Sequence, residues 1–420
     1  MSDYIYKDSG VAWIGQIPEH WDTIKIKYTS WLKGRIGWQG LTSDEYQDEG
    51  AYLITGTDFS EGRINWETCV HISEERFAED EDIHIKEGDL LITKDGTIGK
   101  VAVAKDCPAE VSLNSGVMLI RNTGDFKYYD QYLYYTLLSD EFWNWYEMSQ
   151  TGASTIRHLY QEQFYNFEFA YPPITEQEKI ANYLDKKING INESIKELEN
   201  TIEDYKKWKE STIYETVTKG LSSEVEMKDS GVDIIGDMPK TWSISRLKYL
   251  CKVMTGNQDT QNADPDGTYP FYVRSPIVER NNNYTFDGEG ILMAGDGAGA
   301  GRVFHHAFGK YAIHQRVYCF YDFKGINTEY FFYFIKELFK KVMDKGSAQS
   351  TVPSVRLPMI TNFYFCIPSI TEQKDIVEFL NERCNQIDSL IEEKEKLIFE
   401  LQNYKKALIF EVVTGKRKVV

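Results

Sequence analysis

The chain says the same thing twice. Lys7-Asp8-Ser9-Gly10-Val11, then Ile14-Gly15, Pro18, Trp21 and Lys27-Tyr28, returns as Lys228-Asp229-Ser230-Gly231-Val232, Ile235-Gly236, Pro239, Trp242 and Lys248-Tyr249, at a constant offset of 221. A second signature, Ile174-Thr175-Glu176-Gln177, returns as Ile370-Thr371-Glu372-Gln373 at an offset of 196. That register holds without a gap to Glu215, Val217 and Thr218 against Glu411, Val413 and Thr414. The second half is therefore 25 residues shorter between the two signatures (221 − 196), and the difference lies in the middle of each half. A period this long excludes a solenoid and indicates a duplicated domain pair. Duplication favours a pseudo-twofold arrangement, which suits a bipartite target.

Composition sets the class. With 420 residues, 42% hydrophobic and 14% aromatic, the chain can build two or three ordered domains. No apolar run has the length of a membrane span and no signal-peptide core opens the sequence, so a cytoplasmic address without membrane contact is expected. Cys69, Cys107, Cys251, Cys319, Cys366 and Cys384 are scattered without a CxxC, which fits buried reduced thiols rather than a disulfide or zinc framework. A net charge of −18 argues against non-specific nucleic-acid binding. The acids concentrate, however, at Glu74, Glu75, Glu79, Asp80, Glu81 and Asp82. A DNA-binding face would be local and helped by a more basic partner.

From Thr175 the pattern changes. Leu184, Ile188, Ile191, Ile195, Leu198, Ile202 and Tyr205 form an a/d seam over three heptads. The copy is Leu380, Cys384, Ile387, Ile391, Lys394, Ile398 and Leu401, continued by Leu408 and Val412, with Lys394 as its polar interruption. Each helix should run about 40 residues, roughly 60 Å. Thr175 and Thr371 read as N-caps, and Gly220 and Gly415 as helix ends. The natural partner of each helix is its copy, packed antiparallel. The 228–249 block directly follows the first helix, so symmetry places its copy, 7–28, beside the end of the second helix near Thr414. The termini, Met1 and Val420, should then be close.

The globular parts, 22–170 and 243–366, read as β-rich with some helix. Strands at Gly88–Ile92 and Gly290–Met293 each enter a glycine turn, Asp95-Gly96-Thr97-Ile98-Gly99-Lys100-Val101 and Asp296-Gly297-Ala298-Gly299-Ala300-Gly301-Arg302-Val303. One extra residue in the second copy aligns Gly99-Lys100-Val101 with Gly301-Arg302-Val303. Aromatic helical stretches follow, then Ser154-Thr155 and Ser350-Thr351.

Enzymatic constellations fail on inspection. The glycines at 295–301 lack the GxxxxGK[ST] of a phosphate loop, and a hairpin turn is the better reading. Tyr171-Pro172-Pro173-Ile174 faintly resembles a methyltransferase Pro-Pro motif, but its flanking order is wrong and its copy reads Ile367-Pro368-Ser369-Ile370. Asp89 and Lys94 are replaced by glycines in the second half, which removes a shared nuclease role. His305, His306 and His314 lack first-half counterparts and metal-ligand spacing, so no metal is expected. No nucleophile–base set is legible, and no catalytic residue is assigned. A shared frame with divergent middles looks instead like two readers of different specificity.

The two Lys-Asp-Ser-Gly-Val openings, the Asp95-Gly96-Thr97-Ile98-Gly99-Lys100 turn, the Thr-Glu-Gln helix starts and the closing Glu411-Val412-Val413-Thr414-Gly415-Lys416 carry a resemblance. Over essentially its whole length the chain resembles the specificity subunit of type I DNA restriction–modification enzymes. The resemblance implies an α+β fold: two homologous β-rich α/β target recognition domains joined by two long antiparallel coiled-coil helices in a cyclic, pseudo-twofold arrangement. Its parts would be 1–173, a first long helix 174–220, 221–369, and a second long helix 370–420. Each domain would read one half of a split double-stranded DNA target, and the coiled coil would set the spacer. Two methyltransferase subunits would dock on the chain, and restriction subunits on that core. The chain itself would be non-catalytic and bind no cofactor; S-adenosylmethionine, ATP and Mg would belong to the partners, and adenine is the base such complexes methylate. The Arg302 turn departs from the commoner Thr-Ile-Gly-Lys form. The runner-up is an orphan DNA-binding scaffold without a restriction partner.

Side chains on base edges read sequence, while phosphate contacts position the protein. Polar and cationic residues of the divergent loops are therefore the candidate DNA contacts. In the first domain these are Arg35, Trp38, Thr55, Thr57, Lys94, Thr97, Lys100, Asn114 and Arg157. In the second they are Asn257, Gln258, Arg274, Ser275, Arg302, His314, Gln315, Arg316 and Arg356.

Overall fold

The computed structural model describes residues 5–35, 41–123, 126–150, 157–346 and 353–419. Met1, Val420, Ser154, Thr155, Ser350 and Thr351 lie outside them. The chain divides into two compact units, Met1–Glu197 with Lys396–Val420, and Leu198–Glu395. Each unit thus combines a globular domain, the start of the helix that follows it and the end of the other long helix. Among the described residues no helix is long and apolar enough to cross a membrane. All six cysteines are free; five are buried and Cys107 is part-exposed.

The long helices are Ile174–Lys219, 46 residues, and Ile370–Val413, 44 residues. Their expected N-caps need correction. Both helices open before the threonine, because the Pro173 carbonyl already accepts from the amides of Glu176 (2.8 Å) and Gln177 (3.0 Å). In the copy, the Ser369 hydroxyl accepts from the Glu372 amide at 3.2 Å and is the cap. Thr175 and Thr371 lie inside the first turn.

The Glu-Gln pair of each signature has a tertiary task. Trp21 donates its indole N–H to Glu176 and Trp242 donates to Glu372, both at 2.9 Å. Gln177 and Gln373 are fully buried. Each accepts a backbone amide, from Tyr129 (2.9 Å) or Asn327 (2.7 Å), and donates to the carbonyl of Pro172 or Pro368.

Within each unit the helices run antiparallel. In the first, Leu184, Ile188 and Ile191 share a core with Leu408, Ile409, Val412 and Val413, and Lys405 donates to Asn192 at 2.7 Å. In the second, Lys209 donates to Asp388 at 2.7 Å and Arg383 stacks over Trp208. These pairs are equivalent, since Asn192 and Asp388, like Lys209 and Lys405, stand 196 apart. The seam positions Leu380, Cys384 and Ile387 are buried, as is Ile202. Ile195, Leu198, Ile391, Ile398 and Leu401 are half-buried.

The helix ends are clamped. Gly220 and Gly415 adopt left-handed φ of 78° and 73°. A β-carbon at Gly415 would lie 2.4 Å from Pro18 Cδ. Lys416 donates to the Ile14 carbonyl at 2.5 Å, and Tyr6 to the Gly415 carbonyl at 3.2 Å. Residues 7–28 therefore do pack at the end of the second helix. Tyr132, fully buried, donates to the carbonyls of Ala170 (2.7 Å) and Val413 (2.9 Å). Tyr330 repeats this with Cys366 and Val217, both at 3.0 Å.

The domains share one sheet plan. In the first, the antiparallel order is Val101–Val103, Leu90–Thr93, Val117–Asn122, Ser30–Gly34. In the second it is Phe304–Ala307, Gly290–Ala294, Val317–Tyr321, Lys252–Thr255. A second sheet in each contains one parallel pair, Ala51–Ile54 with Val111–Leu113, and Tyr269–Tyr272 with Lys310–Ile313. Most of the length difference falls in one place. Ile54 and Leu90 are 36 residues apart, whereas their equivalents Tyr272 and Ile291 are 19 apart. The first domain uses the surplus for a hairpin, Phe59–Ser60 with Arg63–Ile64, and for the acidic helix Glu74–Ala78.

Two stability effects follow. Tyr132→Phe leaves two buried carbonyls without a donor and should cost about 1–3 kcal/mol, read by urea unfolding; Tyr330→Phe should cost the same. Glu141 is fully buried, accepts from the Ala170 amide at 2.8 Å, and its second oxygen has no hydrogen-bond partner. Burial pushes its pKa up to about 8. The folded state then holds a proton that the unfolded chain releases near pH 4.5, so stability falls as pH rises between these values and levels above about 8. Glu141→Gln should flatten that slope in unfolding curves taken from pH 5 to 9.

Candidate nucleic-acid interface

The glycine turns define the site. Gly99 donates to the Thr93 carbonyl at 3.0 Å and Gly301 to the Ala294 carbonyl at 2.9 Å, so the one extra residue expected in the second turn holds as far as these glycines. The rest of that alignment needs correction: the next strands pair Val101 with Ile92 but Phe304 with Met293, so a second residue is added after Gly301 and Lys100 matches Val303 rather than Arg302. Both glycines have left-handed φ, 82° and 65°. A β-carbon would lie 2.4 Å from the Trp143 ring at Gly99, and 2.6 Å from Met343 Cγ at Gly301. Only glycine lets the turn press against the aromatic helix behind it.

Three segments converge on each turn through matching backbone bonds. Lys94 donates to the Gly116 carbonyl and Gly295 to that of Arg316, both at 2.8 Å. Asn114 donates to Ile54 at 2.9 Å, and His314 to Tyr272 at 3.0 Å. Leu159 donates to Lys94 at 3.0 Å, and Val355 to Gly295 at 2.8 Å. The frame is common to the two units and the side chains it presents are not.

In the first unit Lys94 is half-buried, and burial lowers its pKa. Lys100 reaches across to the Gly56 carbonyl at 3.1 Å. Thr55 and Thr57 share a hydroxyl bond of 2.7 Å above the buried Asp58, which accepts from the Thr55 amide at 2.7 Å. Thr97 is exposed at the tip. Asn114 donates to the Tyr46 hydroxyl at 3.2 Å. Asp95 is paired with His158. Arg157 is exposed and paired with Glu147. Trp38 lies outside the described residues.

Arg35 is only 1% exposed. It donates to the Leu113 carbonyl at 2.9 Å and to Ser112 at 3.2 Å, tying the two sheets of the domain together. Its equivalent is Gly256, whose β-carbon would lie 2.0 Å from the Ile313 carbonyl oxygen. There the backbone itself comes in, and Gln258 donates its amide to Ile313 at 3.2 Å. The same carbonyl is served by a side chain in one unit and by main chain in the other.

In the second unit Arg274 is 3.1 Å from one oxygen of Asp296, and Arg316 is 3.7 Å from the other. Gln315 donates to the Asp259 carboxylate, and Gln258 to Asn257 at 3.3 Å. His314 is 2% exposed, its Nδ1 accepts from the Arg316 amide at 3.0 Å, and burial lowers its pKa, which keeps the ring neutral. Ser275 accepts the Ile277 amide at 3.1 Å and offers its carbonyl to His305. His306 faces Glu289, so the three histidines have separate partners. Arg302 pairs with Asp344 of the helix Thr328–Gly346. Arg356 is exposed at the start of the helix Leu357–Thr361.

The turn thus brings together Lys94, Thr97, Lys100, Thr55, Thr57 and Asn114 in one unit. In the other it gathers Arg274, Ser275, Gln315, Arg316, Asn257 and Gln258. Arg35 and His314 belong to the interior. Sequence reasoning missed Asp95 and Asp296, the acids around which each turn is organised. Their signal was the Asp-Gly pair repeated at the same point of both turns.

A family model for the type I restriction modification DNA specificity domain matches residues 39–204 and 239–399. The chain is 30% identical to the Escherichia coli type I restriction enzyme EcoDI specificity subunit over 180 residues, 43% of this chain and 39% of that one. It is 25% identical to the type I restriction enzyme MjaVIII specificity subunit of Methanocaldococcus jannaschii, across 96% of this chain and 94% of that one. In fold it matches a chain from a structure concerned with complex assembly and conformational transition of the type I R-M system. That match has a TM-score of 0.73 at 14% identity and covers 96% of this chain and 99% of that one. The HsdS subunit from Thermoanaerobacter tengcongensis matches with a TM-score of 0.53 at 14% identity, covering 96% and 98%. With two copies of the matched domain on a duplicated frame, the chain belongs to the type I restriction–modification DNA specificity family.

Proposed function

We propose that this chain is the sequence-reading, non-catalytic subunit of a type I restriction–modification complex, each domain reading one half of a split DNA target. The observation that carries the reading is the pair of convergent turns: equivalent backbone bonds hold Lys94, Asn114 and Leu159 in one unit and Gly295, His314 and Val355 in the other. A frame kept constant beneath varied polar side chains is what two readers of different sequences require. Two methyltransferase subunits dock on the chain, and restriction subunits join through them. S-adenosylmethionine, ATP and Mg bind to those partners. The net charge of −18 supports this division, because a reader with little general attraction for phosphate leaves backbone contacts to its partners.

Exchanging residues 22–170 for those of a relative should change one half-site and leave the other intact, read by sequencing the methylated positions in a strain carrying the chimera. A change in both half-sites would refute independent reading. The paired helices act as the spacer ruler. Lengthening both by one heptad adds about 10 Å, or roughly three base pairs. The longer protein should lose methylation at the original spacer in a library of varied spacer lengths. Unchanged preference would refute the ruler.

A further inference from the structure

The second unit sets a carboxylate between two arginines at the tip of its recognition turn. Arg274 follows the strand Tyr269–Tyr272, Asp296 opens the glycine turn, and Arg316 precedes the strand Val317–Tyr321. Each arginine takes a different oxygen of Asp296, at 3.1 Å and 3.7 Å. Beneath them the backbone is fixed. Gly295 donates to the Arg316 carbonyl, Arg316 donates its amide to the His314 ring, and Asp296 bridges to Ser354. The arginine side chains remain 45% and 65% exposed, while Asp296 is 25% exposed. Arg316 faces Asp296 through Nε; among the described residues its terminal amino groups have no acceptor. In the first unit the equivalent positions are Gly56 and Gly116.

This is a poor phosphate site. Asp296 lies between the two arginines, and Asp259, the acceptor of Gln315, acts with all three on the same His314 ring, so the formal charge around that ring cancels and a phosphate would gain little. It is a good base-edge site. A guanidinium steadied by a carboxylate loses less freedom on binding. Its planar fork matches the O6 and N7 acceptors of guanine in the major groove.

Resting on the DNA-reading function above, we infer that Arg316 and Arg274 each read a guanine in the second half-site, and that Asp296 is the positioning residue that aims both. Asp296 touches the arginines and not the base. Its loss lowers selectivity at both positions together without changing which base is preferred.

The test uses the complex of this chain with its methyltransferase partner, methylating a duplex library randomised through both half-sites. The native complex should require guanine at two positions of the second half-site. Arg316→Ala should lose guanine preference at one of them, by about 5- to 150-fold. Arg274→Ala should lose it at the other. The first half-site and the salt dependence of binding should hold. Arg316→Lys keeps the charge but lacks the fork, and should not restore the preference. Asp296→Asn should weaken both preferences while guanine stays first. A second half-site without guanine overturns the inference. So does an Arg316→Ala protein whose binding falls equally on all sequences with a shallower salt slope, the behaviour of a phosphate contact. If the native complex selects no bipartite sequence, the DNA-reading function itself is overturned and the inference with it.

Discussion

Tyr132 has one phenolic proton and two carbonyls to satisfy, those of Ala170 and Val413. Tyr330 is in the same position with Cys366 and Val217. A shared proton is a demanding arrangement, and it survives because both carbonyls are buried with the phenol. Burial also holds each phenol far above its ordinary pKa, so it stays a donor. Val217 and Val413 lie in the last turn of a long helix, where carbonyls have no partner within the helix. Each tyrosine thus caps the end of one long helix while holding the strand that leads into the other. Around it the buried glutamine, the Trp–Glu bond and the terminal glycine complete the clamp. A long helix cannot be shortened by a residue at that end without turning its capped carbonyl away from the hydroxyl.

The clamp explains why the sequence repeats where it does. Residues that serve it recur at 221 or 196 because the same geometry has to be met twice. Residues that serve the recognition turn diverge because only their backbone takes part in the frame. The turn, the seam and the helix ends were therefore legible from period, spacing and glycine placement alone. The N-caps were not, because the preceding Pro173 and Ser369 already satisfy the first amides. Arg35 and His314 were not legible as interior residues either. The Arg35 side chain is buried on a carbonyl far away in sequence, that of Leu113, and His314 is carried inward by its backbone bond to the distant Tyr272. Asp95 and Asp296 escaped notice because an acid carries the wrong sign for a DNA contact, and its task is to organise the residues beside it.

The negative charge also reads differently once placed. The acidic run at 74–82 sits within the surplus length of the first domain. Lys33 lies 3.7 Å from Asp80 and 3.0 Å from Asp82. Arg76 bridges Glu45 and Glu79, and the buried Arg35 is 3.9 Å from Glu79. Burial lowers the Arg35 pKa, with the Arg76 charge beside it, and the acids offset this. These carboxylates hold an insertion together and compensate a buried guanidinium. Net charge sets the weak general attraction for phosphate, while the character of each recognition face is set by its own side chains.

The two turns, finally, solve one problem by different chemistry. The first offers two lysines, one of which, Lys100, reaches over the Gly56 carbonyl, with the acid, Asp95, engaged by His158. The second removes the lysine, puts Gly295 in its place and brings arginines in from the two flanking segments, where the first has glycines. Each replacement is possible because the neighbouring backbone bonds need only an N–H and a C=O, which every residue except proline supplies. A lysine offers a point charge, and an arginine a planar fork. Exchanging one for the other on a fixed backbone changes the base edge that can be read and leaves the fold's accounts unchanged. That separation lets the side chains at the two turns diverge while both copies keep the clamp at the ends of the long helices.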